Sequence, residues 1–463
     1  MKIIINKTLI FLMALVLMTS CKSYLDIKPY GKTIPKTAEE FSAMMHTILN
    51  DIDYGEDYLV GDNGTVVDYS CFSDNLEASI TMYPGGNFLP SYIGSKLSSQ
   101  QYLYINLYET IRNCNIVLDN LEDQTSELGQ NVFGVAYALR GVAYYQLLRN
   151  FCEPYSGDPL QLGVPIVSTF DMEEKPIRST YSETVNQIVS DFNKAKTFTI
   201  SDEVYRFNDD VINGYLARLY FWVQDYTSAI KYASELLEKY PLLEGDAYTE
   251  MMTSQNAMKG NMIFKSAILS NSSTKTALDG NKRVLVSRPV SKRFIDAFED
   301  GDKDIRYSLS FTPEREFNKI LISDMRSAEM CLILAESYYH NSSNENALQY
   351  LNLLRSKRIE NFTPYTMATL PEVNPNEIIK VDAKGEALTP LINSILNERR
   401  KEFFLESCDR WYELKRNGRP TFWMARNGHK YTTEKFMYTF PLPVMDVILV
   451  DGLIQNEGYD QVI

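Results

Sequence analysis

Apolar positions recur every three to four residues along most of the chain. Tyr104, Leu107, Tyr108, Ile111, Cys114, Leu118 and Leu121 form one stripe, and Ala136, Leu139, Ala143 and Leu147 form the next. That period lines up side chains on one face of an α-helix. The pattern breaks between Phe151 and Pro165, where Pro154, Gly157, Pro159, Gly163 and Pro165 cluster, and resumes with Val185, Ile188, Val189 and Phe192. Two later segments share a further regularity. Ala217 and Ala229 stand twelve residues apart, with Tyr220 and Tyr226 between them, Ala233 after them and Pro241 closing the unit. Ala335 and Ala347 repeat the spacing, accompanied by Tyr338 and Leu354. Small residues so placed let the two helices of an αα-hairpin approach closely, while tyrosines fill the groove between them.

Both hairpins resemble tetratricopeptide units. Their corresponding alanines lie 118 positions apart (335 − 217), which excludes a uniform solenoid. The expected fold is mainly α: a tetratricopeptide-like helical-repeat scaffold with long irregular loop insertions and a few short strands. One insertion runs from Asp51 to Ser99 and is rich in Gly, Asp, Asn and Tyr, with little helical period. The other runs from Gly245 to Glu316 and includes β-like pieces such as Arg283 to Val286. Long loops in a compact protein are usually functional or disordered. Binding residues tend to sit on loops that a rigid scaffold positions.

Composition narrows the class. With 463 residues, 44% hydrophobic and 23% charged, the chain is neither a disordered tail nor a polytopic membrane protein. A net charge of −14 argues against nucleic acid, whose phosphates call for clustered Lys and Arg. The three histidines, His46, His340 and His429, lie far apart, so no multi-His metal site is expected. Beyond Cys21, Cys71, Cys114, Cys152, Cys331 and Cys408 show no CxxC motif, which removes a zinc ribbon. Burial as small hydrophobes is expected for them. A Cys71–Cys152 disulfide is the alternative in an oxidising compartment. Asp300-Gly301-Asp302-Lys303-Asp304 starts like a calcium loop, but Ile305 and Phe311 occupy the positions that need Gly and Glu, so a turn is expected.

The chain begins with an address. Lys2 and Lys7 precede an apolar run from Thr8 to Met18, which is too short to span a bilayer. A charged start, a short apolar segment and small residues make a secretory signal over residues 1–20. Met18-Thr19-Ser20-Cys21 resembles a bacterial lipobox, whose cysteine is lipidated, so Cys21 is the expected anchor. The segment holds two lysines and no acid, so its removal takes the net charge from −14 to −16.

The most specific text is Asn397 to Gly418, NERRKEFFLESCDRWYELKRNG. It resembles the ERRxEF…E…RWxxLxR signature of the SusD/RagB-like outer-membrane lipoproteins of Bacteroidetes. Other stretches are similar in order: Cys21 to Asp26 with Pro29, Asn115 in RNCNIVLDNL, Arg140 in AYALRGVAYYQLLRNF, Gly163-Val164-Pro165, Ala328-Glu329, Ala335-Glu336, and Phe440 to Pro443 with Gln455 to Tyr459. The resemblance covers residues 21 to about 460. It implies one domain over residues 21–463, with N-terminal (about 21–240) and C-terminal (about 260–463) subregions. It implies a lipid-anchored, cell-surface protein of the outer membrane that captures a glycan or peptide and passes it to a TonB-dependent, SusC-like transporter, without cofactor or covalent chemistry.

Read without the resemblance, Glu398, Glu402, Glu406 and Arg410 stand four residues apart, as in helix-stabilising ion-pair ladders. Phe403 and Trp411 are expected to pack inward. A surface glycoside hydrolase is a second class, since Glu402 and Glu406 are close enough to pair. Nearby arginines, however, lower a carboxylate pKa, and a general acid needs a raised one. No GxSxG, HExxH or P-loop motif occurs. A tetratricopeptide adaptor without a small ligand is a third class. Candidate ligand contacts come from the two insertions: Tyr69, Asp74, Asn75, Tyr83 and Tyr92 in the first, Arg288, Arg306 and Tyr307 in the second. Trp222, Trp411 and Trp423 all fall in helical or signature text, so no tryptophan platform is expected in the loops.

Overall fold

The computed structural model describes residues 35–77, 92–171, 173–286, 288–426 and 429–459. Helix α1 (Ala38–Tyr54) starts at a capping box in which Thr37 and Glu40 satisfy each other's backbone N–H groups, and Gly55 ends it at φ 68°. Helix α2 (Asn63–Phe72) follows. The first insertion is therefore more helical than expected. In α2, Val66, Val67, Tyr69, Cys71 and Phe72 are all buried. A helix covered on more than one side has no single apolar face for periodicity to detect.

The two long stripes become α3 (Gln101–Asn120) and α4 (Glu127–Phe151). The Pro/Gly cluster leads into an antiparallel pair, β1 (Leu162–Pro165) with β2 (Arg178–Thr180), and Thr180 caps α5 (Tyr181–Ala195). A Cβ on Gly163 would lie 2.1 Å from Thr184 Oγ1 and 2.5 Å from the Thr180 carbonyl oxygen. The second of these is backbone and cannot rotate away. Gly163→Ala is expected to lose about 1–3 kcal/mol of stability by overpacking, read as a lowered urea midpoint; an unchanged midpoint would show that the strand pair gives way freely.

The repeat-like hairpins are α6 (Asp209–Trp222) with α7 (Tyr226–Lys239), and α12 (Ser327–His340) with α13 (Asn344–Ser356). All four spacing alanines, Ala217, Ala229, Ala335 and Ala347, are fully buried. Each hairpin carries a stacked tyrosine pair, Tyr220 on Tyr232 at 5.8 Å and Tyr338 on Tyr350 at 5.6 Å, both with rings 5° from parallel. The hairpins, distant in sequence, pack against each other through α7 and α12, where Tyr226 stacks on His340 at 4.5 Å. Helix α14 (Pro390–Glu402) packs on α12 and α13.

Between the hairpins lie α8 (Gly245–Thr253), β3 (Phe264–Lys265), α9 (Ser272–Val286), α10 (Lys292–Ile295), α11 (Ile305–Ser310) and β4 (Asp324–Met325), with β3 antiparallel to β4. Arg283 to Val286 is the last turn of α9 rather than a strand. Only Leu285 of that helix is fully buried, so its β-branched residues outweigh a weak stripe. Gly301–Lys303 forms a short 3₁₀ turn. The chain closes with α15 (Asp409–Arg416), the antiparallel hairpin β5 (Phe422–Arg426) and β6 (His429–Thr433), and α16 (Val444–Leu449).

One hydrophobic core runs from Phe41 to Leu453, and a small satellite gathers Tyr248, Met251, Met252, Met262 and Ile322. Cys71, Cys114, Cys152, Cys331 and Cys408 are buried and free, so Cys71 and Cys152 are not paired. Among the described residues no helix is long and apolar enough to cross a membrane.

Candidate functional site

The signature region folds as two helices joined by a strained turn. Thr389 caps α14, and Pro390 sits in its first turn, where a missing N–H costs nothing. The helix stops at Glu402. Leu405, Ser407 and Cys408 then adopt left-handed backbone at φ 55°, 51° and 60°, which β-carbons disfavour. The break swings Glu406 inward, where Arg326 Nε and Lys319 Nζ donate to its carboxylate at 2.5 and 2.8 Å. It also turns Arg410 toward Asp74. The four-residue spacing is therefore not a ladder along one helix.

Glu402 is wholly buried and accepts from Arg326 Nη1 at 2.6 Å, Arg358 Nη2 at 2.9 Å and Arg306 Nη1 at 3.1 Å. Burial opposes its charge, but Arg358, Arg326 and Arg306 outweigh burial and hold its pKa well below the ordinary carboxylate range. Glu406 is lowered as well, against burial, by Arg326 and Lys319. Neither carboxyl carries the raised pKa of a general acid. Phe403 and Trp411 pack inward as expected.

The same account covers most of the loop candidates. Arg306 is buried, donating from Nε and Nη2 to Asp304 at 2.9 and 2.6 Å and to Glu398 at 2.7 Å. Asp74 is buried and accepts from Arg410 Nε at 2.6 Å and Arg400 Nη2 at 3.0 Å. Burial raises its pKa, but Arg400 and Arg410 more than reverse this. Asn75 accepts from Arg400 Nε at 2.6 Å, Tyr69 donates its hydroxyl to Asn150 at 2.9 Å, and Arg288 donates to the Cys71 carbonyl at 3.1 Å. These five side chains are withdrawn from solvent and hold the insertions onto the body. Tyr307 is half-buried, edge-on to Phe298 and Phe311. Tyr92 is half-buried and stacks on Tyr431 of β6 at 4.2 Å. Tyr83 and Cys21 lie outside the described residues.

Two motif residues from the N-terminal part meet. Arg140 on α4 donates to both oxygens of Asp191 on α5 and to Asn115 Oδ1 on α3 at 2.7 Å, while Asn115 Nδ2 donates to the Val167 carbonyl at 3.0 Å. They clamp three helices and the loop that follows β1.

What remains open to solvent is a groove of about 480 Å³ between the end of α2, α10 and β5. Its walls include Asp74, Glu77, Lys292, Arg293, Phe422 and Trp423. Trp423 is 59% exposed, with Lys430 Nζ 5.3 Å from its ring centroid. Strand alternation explains this: Met424 is buried, Phe422 half-buried, and Trp423 between them faces out. The first insertion leaves the described structure after Glu77, a groove residue, and returns at Tyr92, stacked on the same hairpin. Two other surface grooves of similar size present Tyr104 and Tyr108, or Tyr339 and His340, all of which are buried or half-buried. The cavity between Arg149, Arg399 and Asp409 measures about 50 Å³, room for a few waters but not for a sugar ring. No group of described residues is placed to hold a metal ion.

Trp423 is the residue missed by reading its neighbourhood only as signature text. The signal was present: Phe422 to Ala425 and His429 to Thr433 flank Asn427-Gly428, the pair that tight hairpin turns favour, and a hairpin here turns Trp423 outward.

Stacked helical hairpins, inserted loops and a surface groove define a helical-repeat scaffold of the tetratricopeptide-like kind. A family model described as "Starch-binding associating with outer membrane" matches residues 23–221, and the SusD family model matches residues 217–459, just over half of the chain. The chain belongs to the SusD family. Among solved structures it is similar to a SusD superfamily protein from Bacteroides thetaiotaomicron (TM-score 0.66, 19% identity, 91% of this chain and 99% of that one). It is also similar to a SusD-like carbohydrate-binding protein from Bacteroides vulgatus (0.65, 20%, 90% and 98%) and to a laminarin-binding SusD-like protein (0.58, 16%, 92% and 100%). No curated protein matches it in sequence.

Proposed function

We propose that this protein is a lipid-anchored outer-membrane receptor that holds an oligosaccharide against Trp423 and delivers it to a partner TonB-dependent transporter. The observation that carries the reading is the exposed indole of Trp423 on the wall of a groove large enough for a few sugar rings. An apolar ring face stacks on a sugar's C–H face, and polar groups around it bond to hydroxyls. Membership of the SusD family supports the reading, as do solved relatives described as carbohydrate- and laminarin-binding. The signal segment and Cys21 support the anchor. Delivery then rests on capture and release, with no bond made or broken.

Titration calorimetry against a panel of oligosaccharides tests this. Trp423→Ala is expected to weaken the best ligand about thirtyfold, the loss typical of a truncated aromatic anchor, with the melting temperature unchanged because the ring is exposed. Sustained release of shortened products would make the protein a hydrolase. Retention of a protein partner but of no saccharide would make it an adaptor.

A further inference from the structure

From the charges around Trp423 we infer that the groove takes an anionic saccharide, one bearing carboxylate or sulfate, with Lys292, Arg293 and Lys430 meeting the anionic group. The inference rests on the groove being the saccharide site. The chain as a whole is acidic, at −14, yet this groove is not. Its two acidic wall residues are both committed. Asp74 is shared by Arg400 and Arg410, with Arg293 Nη1 at 3.7 Å, and Glu377 stands 3.6 Å from Arg400 Nη1, so the buried charges around Asp74 are matched among themselves and Asp74 has none left for a ligand. Glu77 accepts both Nη groups of Arg315, at 2.6 and 3.0 Å.

The cations are not matched in the same way. Lys292 is exposed on the groove wall, and no carboxylate among the described residues lies within ion-pair distance of its Nζ. Arg293 keeps 38% of its side chain exposed, and among the described residues its one ion pair is the 3.7 Å contact to Asp74. Lys430 is exposed beside the Trp423 ring. A neutral sugar leaves the exposed charge of Lys292, Arg293 and Lys430 unmet. A uronate or sulfate ester satisfies it with charge-assisted hydrogen bonds while its ring stacks on Trp423.

Paired ligands separate the two chemistries. Oligogalacturonate is compared with its methyl ester, and a sulfated galactan oligosaccharide with its desulfated form. At low salt the charged member of at least one pair is expected to bind about tenfold more tightly, the scale of one charge-assisted contact, and the preference is expected to shrink at high salt. Lys292→Met with Arg293→Met is expected to abolish the preference, so that the two members of a pair bind equally. Lys430→Met, at an exposed position, is expected to reduce it and serves where the double variant folds poorly. Equal affinities within both pairs, with binding still lost in Trp423→Ala, would overturn the anionic inference and leave the groove assignment standing. Affinities untouched by Trp423→Ala, or no binding by any of the four ligands, would overturn the groove assignment and the inference with it.

Discussion

Replacing Glu402 with alanine is expected to cost the fold about 3–5 kcal/mol, the range for breaking a buried ion pair by removing one partner. The reason lies in what is left behind. Arg326 keeps Glu406, and Arg306 keeps Asp304 and Glu398, but Arg358 has no other carboxylate within 4 Å among the described residues. At 3% exposure it would sit in the interior as an unmatched cation. Glu402→Gln keeps the shape and removes the charge, so it is expected to lose nearly as much. Urea unfolding followed by circular dichroism measures both. A loss under about 1 kcal/mol, as for a surface pair, would show that water reaches the network.

Asp74→Asn is expected to destabilise by about 3 kcal/mol, for the same class of reason. The asparagine turns an N–H₂ group or a neutral oxygen toward Arg400 and Arg410, which then repel each other with Glu377, 3.6 Å from Arg400, as the carboxylate left beside them. The experiment also separates two roles. As the anchor between the first insertion and the signature helices, Asp74 sets the melting temperature. Were it a ligand contact alone, the variant would melt like the wild type and bind saccharide more weakly. Thermal unfolding and calorimetry on the same sample distinguish these outcomes.

Asp74 also illustrates what can be read from sequence. The helical hairpins were legible because local spacing encodes them: Ala217 with Ala229, and Ala335 with Ala347, each bury small residues where two helices touch. Asn115 and Arg140 stood out as motif residues, and the structure adds that they meet each other and Asp191. Polar and aromatic residues in long insertions suit ligand binding, which is what makes the loop residues candidates. The same residues suit anchoring an insertion to a body whose matching charges lie far along the chain, 326 positions in the case of Asp74 and Arg400. Composition carries no information about that partner. Trp423 shows the converse: it lies outside the two insertions, in text similar to the family's, and the pairing of β5 with β6 leaves it facing solvent.

The interlock of α7 with α12 has a consequence for how the protein is made. The two family models meet at residues 217–221, inside α6, so the place where the sequence divides is not a place where the molecule does. A chain emerging from its amino end completes α6 and α7 with the flank that carries Tyr226 bare. It must then produce the whole intervening segment before Ser327–His340 arrives to cover that flank and bring His340 onto Tyr226. For that interval the half-made protein carries an adhesive surface, and the body closes only when the last third of the chain is available.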